Sequence, residues 1–353
     1  MKVAFNVTPL STASKTRGIG SYTKNLVENL KKKIDILEFT DIKTVNEVDL
    51  VHHPWFDLFF NTLKLDRRFP TVVTIHDVMP LVFAKNYPVG IKGQVNLFLQ
   101  KKSLKSCSAI ITDSNVSKND IIKYLGVSED KIKVIPLAVN KKFKILTQTE
   151  KKDIKNRLKL PDKYLLYVGD INYVKNLPYL IKEFNKLIER KNFQEYKLIL
   201  VGGAFLGKVD NFHPELKSLI EVNQLIQDYK LAGKIIKLGQ ILDDDLVGVY
   251  NLATVYIQPS LYEGFGLPIL EAMSCGTPVL SSSLGSLLEV GSNAVIYFNP
   301  LKEGDLWSNL VSLLSNESLQ RGVSNLGIKR SKQFSWSKTV NQTIKVYEAV
   351  KKI

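Results

Sequence analysis

Short apolar runs alternate with amphipathic helical patterns along the whole 353-residue chain. That rhythm predicts an α/β protein with parallel, doubly wound sheets. In the first half, the runs near 2–7, 48–52, 71–76, 108–113 and 132–137 read as strands, and helical patterns fall near 19–33, 91–106 and 117–125. In the second half, strands are expected near 164–169, 196–202, 234–239, 254–258, 278–282 and 294–298, with helices near 178–191, 214–231, 243–252, 268–275 and 303–315. The polar stretch from Asn140 to Asp162 carries lysines, threonines and Pro161 without a strand pattern, and reads as a domain linker. From Ser337 to Ile353 a single amphipathic helix is expected, with Val340, Ile344, Tyr347 and Val350 on one side. The length suits two domains, predicted at 1–150 and 151–336.

Composition narrows the setting. Hydrophobic residues make up 44% and charged residues 24%, a globular balance, and no apolar run approaches the roughly 20 residues of a membrane span. The N-terminus, Met1 to Val7, turns polar too soon for a signal peptide and reads as a first strand. Cys107 and Cys275 stand far apart in no metal-like spacing, so a reducing cytoplasm is expected. The net charge of +15 is concentrated in residues 1–150, with 23 Lys and Arg against 14 Asp and Glu. The lysines are not interleaved with stacking aromatics, which argues against a nucleic-acid partner. Peripheral contact with an anionic membrane fits the charge better.

The densest chemistry lies in Ser260-Leu-Tyr-Glu-Gly-Phe-Gly-Leu-Pro-Ile-Leu-Glu271-Ala-Met-Ser-Cys-Gly276. A predicted strand ends at Pro259-Ser260, a glycine turn follows at Gly264-Phe265-Gly266, and Pro268 marks the start of a helix. Helix N-termini collect backbone N–H groups and the positive end of the dipole, so this turn is an anion site. Glu263 and Glu271 add two carboxylates that can accept hydrogen bonds from hydroxyl groups. Phosphate and hydroxyls together suit a sugar nucleotide. A second anion-binding arrangement surrounds Lys175: a strand ends at Gly169, and Pro178 starts a helix just after the lysine. His76, in Thr74-Ile75-His76-Asp77, stands at the C-terminal end of a strand, where side chains line ligand crevices in open sheets.

The Glu-x7-Glu spacing within Glu-Gly-Phe-Gly-Leu-Pro-x-x-Glu-Ala resembles the signature of the retaining, family-four glycosyltransferases of the GT-B fold. The resemblance covers essentially the whole chain. It implies two Rossmann-like domains facing across a cleft, with helix 337–353 crossing back to the N-terminal domain. It assigns Glu271 to the ribose hydroxyls and Glu263 to the donor sugar ring. Gly264, Phe265, Gly266 and Leu267 are expected to act through backbone N–H groups. Lys175 would grip the diphosphate; many relatives also carry an arginine directly after Gly169, where this chain has Asp170, so Lys208 is a candidate helper. His76 would face the donor sugar. Gly20, in Gly18-Ile19-Gly20-Ser21-Tyr22, would meet the diphosphate, and Arg17 beside it is a candidate phosphate or acceptor contact. Gly239, Gln240 and Ile241 resemble the base-binding edge.

By the same resemblance, transfer retains anomeric configuration through front-face attack, with the departing phosphate as base, and needs no metal and no cofactor. The donor would be a GDP-, UDP- or dTDP-linked hexose or deoxyhexose, mannose among them. The acceptor would be a saccharide or lipid-linked saccharide in surface-polysaccharide assembly. The competing reading is an inactive nucleotide-sugar-binding partner, favoured by Asp170. Asp243-Asp244-Asp245 contains an Asp-x-Asp, but it precedes an apolar helix and reads as first-turn acidic residues. His52-His53 lacks a third metal ligand and reads as cleft lining or an acceptor contact. Trp55 to Phe60 with Lys64, Arg67 and Arg68, and Ile91, Val95, Phe98 and Leu99 with Lys101, Lys102 and Lys105, are two apolar–basic stretches suited to helix core or to an interface.

Overall fold

The computed structural model of the protein describes residues 1–12, 18–63, 68–206 and 217–351. The chain divides into two compact units, Met1–Ala138 with Phe334–Ile353, and Val139–Gln333. The α/β expectation holds in both: each contains a six-stranded, wholly parallel sheet.

In the N-terminal unit the strands are β1 (Lys2–Asn6), β2 (Asp35–Phe39), β3 (Leu50–His53), β4 (Thr71–Thr74), β5 (Ala109–Thr112) and β6 (Ile132–Val134). Their order is β2-β1-β3-β4-β5-β6, so the chain reverses direction across the sheet between β1 and β3. β3, β4 and β5 are buried along their whole length, as central strands of a parallel sheet covered on both faces are. β2 was not anticipated. It is the edge strand, half exposed, and its Asp35 and Glu38 break the apolar pattern. The helix Trp336–Lys351 packs within this unit, burying Val340, Tyr347 and Val350. Thr339 Oγ1 donates to the Pro136 carbonyl (2.8 Å), and Lys351 pairs with Asp49 (3.0 Å).

The C-terminal unit has β7 (Tyr164–Val168), β8 (Lys197–Val201), β9 (Ile235–Gly239), β10 (Val255–Gln258), β11 (Val279–Ser282) and β12 (Ile296–Phe298). Read from its other edge the order is β9-β8-β7-β10-β11-β12, the dinucleotide-fold order, with its reversal between β7 and β10. Leu165, Tyr167, Leu198 and Leu200 from the sheet form one core with Leu180, Phe184, Leu306 and Leu310 from the helices Leu177–Ile188 and Asp305–Leu314.

The stretch 140–162 is no bare linker. Gln148–Leu158 is a helix opened by a capping box, in which Thr147 Oγ1 accepts from the Glu150 N–H and Glu150 accepts from the Thr147 N–H. It docks on the helix Asp243–Leu252 through an Arg157–Asp245 ion pair, while Asn251 bonds the Leu146 N–H (2.9 Å) and the Lys144 carbonyl (2.8 Å). These ties give residues 139–150 to the C-terminal unit, so the division falls at Ala138 rather than at 150. The helix Glu317–Ser331 was also not anticipated. Gly327 sits on Met273, where an added Cβ would come within 3.0 Å of Cγ, so its lack of a side chain lets the two helices approach.

Candidate functional site

Ligands in open α/β sheets bind beyond the carboxyl ends of the strands at the point of reversal. In the C-terminal unit that point is flanked by the loops following β7 and β10, which carry Lys175 and Glu263. The Lys175 Nζ lies 2.7 Å and 2.9 Å from the two Glu263 oxygens. Glu263 Oε1 also accepts from Gln258 Nε2 and from Ser260 Oγ, each at 2.7 Å. Tyr256 and Gln258 project from the same side of β10, as residues two apart on a strand must. The Tyr256 hydroxyl donates to Gln258 Oε1, which turns the amide so that its NH2 faces Ser260 and Glu263. Tyr256, Gln258 and Ser260 are fully buried, so the carboxylate is aimed by a rigid polar chain.

The two loops are also tied through their backbones. The Leu261 N–H donates to the Val174 carbonyl (2.7 Å), and Asn176 Nδ2 donates to the Pro259 carbonyl (3.3 Å). Ser286 Oγ donates to the Glu263 (2.7 Å) and Phe265 (3.0 Å) carbonyls. The helix Leu267–Ser274 follows Gly266, whose φ of +105° is a left-handed value that disfavours any side chain; an added Cβ would lie 2.7 Å from Leu287 Cδ2. Pro268 sits in its first turn, where the missing N–H does no harm. Lys175 ends a short 3-10 turn, and Leu177–Ile188 starts two residues later with Pro178 in its first turn. Two helix N-termini therefore open beside one lysine and one carboxylate.

Glu271 lies deeper on the helix Leu267–Ser274 and accepts a hydrogen bond from the Tyr250 hydroxyl (2.8 Å), not from Glu263's partners. Burial pushes its carboxyl up to about 7; the Tyr250 hydroxyl opposes this and the nearby Asp243 adds to it. Gly169 closes β7 with its N–H on the Val201 carbonyl. At Asp170 the backbone carbonyl accepts from Tyr167 (2.8 Å). Gly239, Gln240 and Ile241 lie at the carboxyl end of edge strand β9, away from the Lys175–Glu263 pair in the strand order. Arg17 and Lys208, like Lys64 and Arg67, lie outside the described residues.

In the N-terminal unit, Gly20 is buried in the helix Gly18–Leu30. His76 follows β4. Its Nδ1 lies 2.6 Å from Asp113 Oδ2, and Asp113, just past β5, was not singled out by the sequence pattern. The available signal was positional: β4 and β5 are neighbours, and each run ends in a polar residue. Burial disfavours a charged His76, but Asp113, with Asp77 and the Pro54 carbonyl, outweighs it and holds the pKa above the ordinary imidazole value.

His52 and His53 correct the earlier expectation. Both are buried in the sheet, and burial pushes them down to about 3 and about 4, so they are neutral at physiological pH. His52 bonds the Tyr347 hydroxyl (2.6 Å) and Thr74 Oγ1 (2.9 Å), a structural link from sheet to C-terminal helix rather than an acceptor contact. Asp243, Asp244 and Asp245 form the first turn of the helix Asp243–Leu252, and the last two pair with Lys142 and Arg157.

Comparison with known proteins gives this arrangement its class. The solved structure of Anabaena HepE, in complex with UDP and glucose, matches with a TM-score of 0.78 at 16% identity, over 99% of this chain and 100% of that one. WaaG, a glycosyltransferase involved in lipopolysaccharide biosynthesis, matches with a TM-score of 0.70 at 12% identity, over 99% of each chain. The fold is thus the two-domain GT-B fold.

Residues 148–330 match the family described as glycosyl transferases group 1, and residues 34–143 match glycosyltransferase family 4. The chain belongs to the glycosyl transferases group 1 family. Among its relatives, the O-antigen chain mannosyltransferase B of Escherichia coli is 31% identical over 294 residues, covering 82% of this chain and 72% of the relative. The serotype-specific mannosyltransferase WbdA of Escherichia coli is 29% identical over 278 residues, 78% of this chain. Those residues span only 33% of WbdA's length.

Proposed function

We propose that this protein is a retaining, metal-independent glycosyltransferase that moves a hexose or deoxyhexose from a nucleotide diphosphate sugar to a saccharide or lipid-linked saccharide. The observation that carries the reading is the Lys175–Glu263 pair at the β7/β10 reversal, beside two helix N-termini. An ammonium group and two helix N-termini suit a leaving diphosphate, the charge that a metal ion would otherwise offset. Glu263, aimed by Gln258 and Ser260, is assigned to hydroxyls of the donor sugar. Glu271 takes the ribose, the Gly264–Leu267 turn the distal phosphate, and Gly239, Gln240 and Ile241 the base. His76 and Gly20 are the N-terminal unit's contributions to the donor. The acceptor hydroxyl attacks the anomeric carbon on the face that the diphosphate leaves, and its proton passes to a departing phosphate oxygen. Mannose is the favoured sugar because relatives bear the names of O-antigen mannosyltransferases, which also suggests surface-polysaccharide assembly.

Thermal shifts with GDP-, UDP-, dTDP- and ADP-sugars, with and without magnesium, test the donor. Stabilisation by one nucleotide, unchanged by metal, is expected; no shift with any would sink the donor assignment. Turnover with mannan-type acceptors, or slow donor hydrolysis, separates an enzyme from an inactive binding partner.

Glu271 sets the pH dependence of that binding. Its folded pKa is raised above the unfolded value, so its contribution to stability is present below about 4.5 and lost as pH rises through about 7. Ribose hydroxyls need the ionised acceptor, so the pH that favours binding is the pH that strains the free protein. Nucleotide affinity should rise several-fold, up to about tenfold, between pH 6 and 8. Glu271→Gln should flatten that rise while stabilising the unliganded protein by about 1–3 kcal/mol at pH 8. Calorimetric titration across this range checks both; a flat wild-type profile would remove Glu271 from the ribose.

The same reading places the protein against an anionic lipid surface. Among the described residues, no helix is long and apolar enough to cross a membrane. The helix Ile91–Ser106 instead turns Ile91, Val95, Phe98 and Leu99 outward on one face, and Ile91 is 83% exposed. It carries four lysines and no acidic residue, with Lys102 Nζ 4.6 Å above the Phe98 ring. Of the companion stretch, Leu58, Phe56 and Phe59 belong to the core, and Phe60 is exposed. Gln100 Nε2 ties that loop to the helix through the Asp57 and Phe60 carbonyls. Lysines near an anionic bilayer contribute about 1 kcal/mol each. Replacing Lys101 and Lys102 by alanine should therefore cut sedimentation with phosphatidylglycerol vesicles at least about tenfold. Equal sedimentation with phosphatidylcholine would reject the surface.

A further inference from the structure

Asp113 is a buried carboxylate with one partner. It follows β5, is 2% exposed, and only its Oδ2 is bonded, to His76 Nδ1 at 2.6 Å. Its other oxygen, Oδ1, makes no hydrogen bond among the described residues. Helix capping does not explain it. The next helix, Asn115–Asp120, is capped by Ser114, whose Oγ accepts from the Ser117 N–H (3.0 Å). A carboxylate held out of water is expensive unless the partner it faces is charged and well oriented.

The surroundings of His76 all hold the ring in one pose. The Tyr22 ring meets it edge-on, with centroids 4.7 Å apart. Tyr22 is itself fixed by its hydroxyl on Thr74 Oγ1 (3.1 Å), which is shared with His52. His76 Nε2 is buried, forms no hydrogen bond within ordinary limits, and faces the Pro54 carbonyl. The titratable groups around the ring are Asp113 from the end of β5, the adjacent Asp77, Tyr22 from the helix Gly18–Leu30, and His52 from β3. His52 stays neutral and Tyr22 keeps its proton, since burial raises it far above its usual value. Asp113, whose carboxyl pKa is raised by burial and lowered in turn by His76, and Asp77 are therefore the acidic groups acting on His76.

We propose that Asp113 is a positioning residue for glycosyl transfer: it accepts the Nδ1 proton of His76 and so fixes the ring plane and the charge of the residue assigned to the donor sugar. This rests on the assignment of His76 to the donor sugar made above. With the acceptor carboxylate in place, His76 stays doubly protonated beyond the pH at which a free imidazole, of pKa about 6.5, would lose its charge. An amide at position 113 can still accept at Nδ1 but cannot offset the charge, and burial then drives the ring neutral.

Nitrogen-15 NMR titration of the full-length protein reads the protonation step directly. With only four histidines in the chain, His76 is assigned by its loss in His76→Gln. In the wild type, His76 should titrate above about 6.5, with its Nδ1 proton shifted far downfield. In Asp113→Asn the midpoint should fall by at least about one unit. The alkaline limb of kcat/KM should move down with it, giving about a tenfold loss at pH 8 and less than about twofold at pH 6. His76→Gln should show no such limb. A wild-type His76 that titrates at or below the ordinary value overturns the proposal, even if Asp113→Asn fails to fold. A titration that shifts while the rate profile stays put shows that Asp113 governs His76 but that His76 does not serve the donor. The second failure belongs to the functional assignment and the first to the pairing itself.

Discussion

Lys175→Ala should lower kcat by about 10²–10³-fold, the usual range for removing one preorganised charge-stabilising donor. On the proposed reading, Asp170 stands where the resemblance implies an arginine on the diphosphate, so Lys175 would carry the positive charge of the 169–176 loop. In the free protein the ammonium is clamped by both Glu263 oxygens at 2.7 and 2.9 Å. Its removal leaves Glu263 with two neutral donors, Gln258 and Ser260. Some loss of thermal stability should accompany the loss of rate. Glu263→Gln separates the two effects. It releases the lysine for phosphate, so nucleotide affinity should hold within about threefold while kcat falls. Steady-state kinetics on both variants, alongside nucleotide binding, decide it. A Lys175→Ala enzyme within tenfold of wild type, with unaltered nucleotide affinity, would sink the assignment.

Glu183→Ala should destabilise the protein by about 3 kcal/mol without touching the site. Glu183 lies on the helix Leu177–Ile188 and is fully buried. Its Oε1 accepts from the Gly304 N–H (3.0 Å) and Lys186 Nζ (3.3 Å), and its Oε2 accepts from the Trp307 N–H (3.0 Å). The carboxylate thus caps the helix Asp305–Leu314 from a neighbouring helix, favoured by that helix's dipole. Alanine leaves two partly buried backbone donors unpaired. For a unit of this size the midpoint of thermal unfolding should drop by about 6–12 °C. Glutamine, which keeps an acceptor oxygen, should lose less than half as much. An unfolding midpoint unchanged by Glu183→Ala would show that water replaces the carboxylate at no cost.

Both predictions start from residues that differ in how far the sequence exposes them. Lys175, Glu263 and Glu271 stand in local patterns, a strand end, a glycine turn and a helix start, whose spacing alone announces an anion site. The 3-10 turn at Lys175 and the left-handed Gly266 lie where those patterns put them. Glu183 has no such marker. On a helix written Leu-Pro-Tyr-Leu-Ile-Lys-Glu-Phe, a glutamate reads as a solvated residue beside a lysine, and its capping partners are more than a hundred residues away.

The sequence by itself determined the alternation of strands and helices, the two-domain α/β class, and the strand, glycine turn and helix start around Glu263. All of these follow from interactions between near neighbours in the chain: periodic burial, glycine and proline geometry, and helix polarity. Some local signals went unread, as with the Thr147–Glu150 capping box inside a stretch that looked like linker. Tertiary structure alone decided the rest. Edge strand β2 is stabilised by pairing with β1, not by an apolar pattern of its own. His52 is neutral because a sheet and the C-terminal helix enclose it, although its neighbour in sequence suggested a ligand pair. His76 meets Asp113 because β4 and β5 are adjacent in the sheet, which brings residues 37 apart in sequence to 2.6 Å. Charge states and pairings of this kind depend on burial and on partners that only chain folding assembles, so no window along the sequence contains them.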